Sequence, residues 1–198
     1  MANSVTNMKC PNCGGGIDTI QANCNYCKQP ILISTFNSVY KMPIPLLNSH
    51  VNTYQQALSE SPDDKTLNST MAMCYLKLKL YDEALSSFEK AVKDNFNNSE
   101  TFFYAAVCLL KGKKAFSAIK SVIDKAEKYI QAALAIEPKG IYYYFWAYIK
   151  YDFYERKFFN TSPTYLEVLE LGKSVKFSRY DVEQLFAVLG VANPLENK

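Results

Sequence analysis

Four cysteines, set in two pairs, restrict what the start of this chain can become. They read Cys10-Pro11-Asn12-Cys13 and Cys24-Asn25-Tyr26-Cys27, two C-x2-C units separated by ten residues. A hairpin that folds one pair onto the other brings four sulfurs together, the donor set of a tetrahedral Zn²⁺ site. Gly14, Gly15 and Gly16 follow the first pair and supply the backbone freedom that a tight metal knuckle needs. Ile17, Ile20 and Ile31-Leu32-Ile33 suit short strands. A catalytic zinc keeps one coordination position open, and four thiolates leave none. A redox C-x-x-C opens a helix in a βαβ unit, and no such pattern surrounds these pairs. The expectation is therefore one structural zinc held by Cys10, Cys13, Cys24 and Cys27. It would fold a segment too short to hold a core of its own.

The stretch Met8-Lys9-Cys10-Pro11-Asn12-Cys13-Gly14 resembles the zinc-ribbon family, and the resemblance runs over about residues 8–33. It departs at the second knuckle, where Lys28 takes the place of the usual glycine. Many ribbons bind nucleic acid, which requires Lys and Arg against phosphates. Residues 1–41 carry only Lys9, Asp18, Lys28 and Lys41 as charged side chains, so a nucleic-acid partner is disfavoured.

Nearly half of the 198 residues are apolar (48%) and 21% are charged, which permits a packed core and argues against wholesale disorder. The formal charge of +3 is too small to imply a polyanionic partner by itself. No run approaches a membrane span, and the first residues show no basic-then-apolar leader, so neither a membrane partner nor secretion is expected. Cysteine usage fits a reducing compartment, hence a cytoplasmic protein. Cys74 and Cys108 sit in apolar helical runs and read as small buried hydrophobes.

Residues 1–33 are thus a ribbon domain, and 34–45, with Pro43-Ile44-Pro45, a linker. From 46 to 177 the apolar spacing is helical, and an internal repeat emerges. Tyr75, Ala84, Phe88 and Ala91 mark helices over about 65–79 and 82–94. Phe102, Ala105, Ala106 and Leu109 then fall 34 residues after Asn68, Met71, Ala72 and Tyr75. A half copy, Tyr54, Ala57 and Pro62, precedes them, with a helix over about 46–60. This frame resembles the tetratricopeptide repeat (TPR), over about 46–172.

In the second copy Ala126, Ile130, Ala133 and Pro138 fall eight residues late. One stripe from Ile119 to Ala133 predicts a single long helix over about 115–136, extended by about two turns. A third copy starts near Ile141, with second helix about 163–172. Residues 178–198 hold a capping helix, about 179–189, between Ser178 and Gly190. The expected fold is mainly α: a TPR-like solenoid of antiparallel helix pairs with a small N-terminal β ribbon.

The TPR resemblance implies a concave groove that binds a segment of another protein. Carried over by frame, its lining is Ser69 and Met73, then Phe103 and Val107, then Tyr142, Phe145 and Ile149. These apolar and aromatic positions imply a hydrophobic segment, with filling by the chain's own last helices or by self-association as the alternative. Residues 142–159 are crowded with aromatic side chains, more than helix packing alone uses. His50 is the one histidine and has no triad-like company, so no enzyme is expected. The function expected is a zinc-stabilised, non-catalytic adaptor. A nucleic-acid regulator and a structural subunit of an oligomer are the alternatives.

Overall fold

The computed structural model describes residues 7–18, 21–33, 35–93 and 97–196; Ile20 lies outside them. Most described residues are helical, and the chain divides into two compact units, Met1–Asn95 and Phe96–Lys198.

In the first unit, strand β1 (Asn7–Lys9) pairs antiparallel with β2 (Gly16–Asp18), Met8 opposite Ile17. Helix α1 (Phe36–Tyr40) follows, inside the stretch read as linker, with Phe36 and Val39 buried. Helices α2 (Ile44–Glu60), α3 (Lys65–Lys77) and α4 (Tyr81–Val92) complete the unit. Asp64 caps α3 by accepting from the Leu67 amide at 2.9 Å, satisfying a donor that a helix start leaves orphaned. Ala72 and Ala84 are buried where α3 meets α4, small enough to let the backbones approach, and Phe88 fills the space beside them. Tyr75 is only half-buried. Its hydroxyl accepts from Gln55 on α2 at 2.9 Å, which ties the ring to the α2 side as well.

The second unit holds α5 (Ser99–Leu109), α6 (Lys120–Ile136), α7 (Gly140–Ile149), α8 (Tyr165–Val175) and α9 (Arg179–Leu189). α5 pairs with α6 and α7 with α8. The extra residues of the second copy do not simply lengthen one helix. α6 begins at Lys120, and Ala115–Ser117 forms a separate 3₁₀ turn ahead of it. Ala118 and Ile119 are extended, which ends helical continuity.

The aromatic helix also changes character. After Ile149 it becomes a π-helical segment, Lys150–Tyr154, then a 3₁₀ turn, Glu155–Lys157. α7 and α8 meet at two glycines. A Cβ on Gly140 would lie 2.2 Å from the Lys176 carbonyl oxygen, and one on Gly172 3.1 Å from Tyr143 Cβ. Thr164 with Glu167 and Ser178 with Asp181 form capping boxes on α8 and α9, and Gly190 ends α9 at φ +67°.

Candidate functional site

The two knuckles have one geometry. In the first, the Cys10 amide donates to the Gly15 carbonyl and the Gly14 amide to the Cys10 carbonyl, both at 2.8 Å. In the second, the Cys24 amide donates to Gln29 at 2.8 Å and the Lys28 amide to Cys24 at 2.9 Å. The residue after each second cysteine is left-handed: Gly14 at φ +75° and Lys28 at φ +62°. The departure from the ribbon pattern at Lys28 is therefore carried by a lysine in a glycine conformation, its ammonium donating to the Asn25 carbonyl at 2.8 Å.

The four cysteine sulfurs lie within 4.8 Å of one another. Cys10–Cys27 and Cys13–Cys24 are each 3.7 Å apart. A tetrahedron of sulfurs with metal–sulfur bonds of about 2.3 Å has edges of about 3.8 Å. A disulfide needs about 2.05 Å, so the cluster is a set of free thiols with metal-site spacing. The Cys27 amide, with help from the Tyr26 amide, holds the Cys24 thiol down to about 6. The Gln29 amide pulls Cys27 the same way, but burial and the three surrounding sulfurs prevail and push it up to about 12. Four thiolates in this space would repel one another, and a cation held between them would let all of them ionise.

The ribbon is held on the first helices by side chains that grip its backbone. Ser49 Oγ donates to the Pro11 carbonyl at 2.7 Å, Tyr54 OH to Ile31 at 2.8 Å and Thr70 Oγ1 to Ile33 at 3.1 Å. Because the Tyr54 proton goes to Ile31, His50 Nδ1, 2.8 Å from that hydroxyl, is the donor between them. Burial pushes His50 down to about 4, which keeps it neutral. His50 is thus a packing and positioning residue. Ile31, Leu47 and Tyr54 are fully buried beside this chain of bonds.

The positions assigned to the groove lie inside the molecule. Met73, Phe103, Val107, Tyr142, Phe145 and Ile149 are all buried, and Ser69 is half-buried. Phe103 stacks on Tyr142 with centroids 4.5 Å apart and meets Phe145 edge-on at 5.7 Å. These aromatic groups of α5 and α7 pack on each other, because large rings at facing positions gain more from burial than from lining an open surface. Phe186 of α9 meets Tyr148 edge-on at 5.2 Å and Tyr144 at 6.3 Å. A cleft of about 660 Å³ remains beside it, lined by Tyr144, Phe177, Val182 and Phe186 with Arg179 and Glu183 at its rim.

Sequence reasoning did not anticipate a buried ionic network on the π-helical segment. Glu127 accepts from Lys150 at 3.0 Å, from Trp146 Nε1 at 2.9 Å and from Tyr154 OH at 2.6 Å. Lys150 also donates to Thr161 Oγ1 at 2.7 Å. Asp152, buried, accepts from the Phe116 amide at 2.8 Å and from Arg156 at 2.5 Å. The signal available was the pair Lys150 and Asp152 inside an aromatic run, where unpaired charges are not tolerated.

The paired helices α3–α4, α5–α6 and α7–α8 have TPR-like packing. Residues 51–119 match the tetratricopeptide repeat family model. Tetratricopeptide repeat protein 21B of Homo sapiens is 39% identical over 85 residues, which is 43% of this chain and 6% of that protein. The chain therefore spans a small part of that relative's length. Tetratricopeptide repeats generally mediate protein–protein interaction. Among the described residues no helix is long and apolar enough to cross a membrane.

Proposed function

We propose that this chain is a non-catalytic adaptor that holds a segment of another protein. The repeat match over residues 51–119 carries the reading. One Zn²⁺ on Cys10, Cys13, Cys24 and Cys27 serves as a folding device, since four sulfur ligands leave no open position for a reaction. Burial of Phe103, Tyr142 and Phe145 argues against direct contact there unless α5 and α7 separate. The α9-side cleft, with its aromatic floor and the ionic pair Arg179–Glu183 at the rim, has the composition of a seat for an apolar side chain flanked by polar groups. The test substitutes Phe177, a half-buried ring of that cleft, by aspartate. Phe177→Asp is expected to abolish capture of the co-purifying protein while circular dichroism stays unchanged; undiminished capture places the seat elsewhere.

A second reading, a subunit of a homo-oligomer, draws support from Leu166, Leu171 and Val175, which are exposed on α8. Its measure is the mass in solution: a monomer removes it.

A further inference from the structure

Two segments well separated in sequence converge at one end of the second unit. One is the insertion Leu110–Ile119, between α5 and α6. The other is the π-helical and 3₁₀ extension of α7 with the turn after it. The Phe116 amide donates to Asp152 and the Ala115 amide to Tyr148 OH, at 2.8 and 3.0 Å. Arg156 and Lys157 lie 4.8 and 5.1 Å from the centre of the Phe116 ring. The Phe159 amide is tied back to the Tyr154 carbonyl at 2.9 Å. Buried charges on Lys150 and Asp152, each with several partners, pin this structure in place. It is a built tip.

What the tip presents is apolar. Phe158 is 94% exposed, Ile119 68%, Phe159 51% and Phe116 39%. Phe158 sits at φ +59°, a backbone conformation that is uncommon and costly for a bulky aromatic. In the two segments 110–120 and 155–163, Lys111, Lys113, Lys114, Lys120, Arg156 and Lys157 face one acidic residue, Glu155. The whole chain carries only +3, so the remainder is net acidic and the cations are concentrated here. Lys120 and Arg156 also pair with Asp124 and Asp152.

We propose that this tip binds an anionic lipid surface. Phe158, Phe159 and Ile119 enter the boundary between headgroups and acyl chains, and the surrounding Lys and Arg meet the lipid charges. Exposed apolar side chains on an irregular backbone suit a deformable interface, which needs no preformed complement. Nucleic acid would use the rings by stacking but has no use for an exposed Ile119. The surface lies on a membrane and does not span it, so the absence of a spanning helix is compatible with it.

The test is co-sedimentation of the full chain with phosphatidylcholine vesicles, alone or with about one-third phosphatidylserine. The chain should pellet with the anionic vesicles only, and less at raised salt. Phe158→Asn keeps a residue at ease at positive φ and should cut binding about tenfold with an unchanged thermal melt. The double change Lys113→Glu, Lys114→Glu should cut it at least about tenfold. Failure to pellet with anionic vesicles, or equal binding by Phe158→Asn, overturns the proposal. So does a pair of variants that lose binding to single-stranded DNA while keeping vesicle binding.

Discussion

Each unit carries an irregular segment on a helix hairpin, and the two are fastened by opposite chemistry. The ribbon of the first unit offers backbone carbonyls, which the neutral hydroxyls of Ser49, Tyr54 and Thr70 grip. The insertion of the second offers backbone amides, which Asp152 and Tyr148 accept, braced by the Lys150–Glu127 pair. Neutral hydroxyls are cheap to bury once bonded, whereas buried ions are costly to desolvate and depend on every partner. The first attachment should therefore tolerate losses that the second does not.

The largest expected effect tests the ionic side. Lys150→Ala leaves the half-buried Glu127 without its cation and should cost about 3 kcal/mol, the low end for a broken buried pair. Limited proteolysis should then cut between 110 and 120 while the first unit stays intact. Equal resistance in both proteins would erase the contrast. A middle-sized effect concerns acid. The folded state lowers His50 to about 4 from an ordinary 6.5. An unfolded chain takes up a proton there first, so this stability is fully present above about 6.5 and drains as pH falls toward 4. The loss is on the order of a few kcal/mol. The melting temperature of the zinc-loaded protein should fall between pH 7 and pH 5, and His50→Gln should flatten that slope. A parallel fall in the variant assigns the acid sensitivity elsewhere. The smallest effect is at the second knuckle. Lys28→Gly relieves a left-handed lysine and should raise stability by up to about 1 kcal/mol, read as a higher chelator concentration needed for unfolding. A lower one would mean that the Lys28–Asn25 bond outweighs the strain.

The sequence made local chemistry legible. The cysteine pairs end up as one cluster, the 34-residue frame from Met71 to Ala105 holds, and Ser178 and Gly190 bound the last helix where spacing placed them. These features depend on neighbours within a few turns of chain. Hidden features depend on residues brought from far away. The role of Asp152 was hidden because the amide that binds it, Phe116, is 36 residues back. The groove positions looked open because the frame gives direction along a helix but not how closely Phe103 and Tyr142 approach. The insertion looked like more helix because Ile119 continues the apolar stripe, although its side chain is exposed and its backbone extended.

Docking through carbonyls has a consequence for how the ribbon can vary. Ser49, Tyr54 and Thr70 bind main-chain oxygens at Pro11, Ile31 and Ile33, which every residue type provides. The outward side chains of the knuckles, Asn12, Asn25 and Tyr26, take no part in these bonds and are exposed. That outer face is free to be rewritten, by drift or by an engineer, without loosening the ribbon from the helices beneath it.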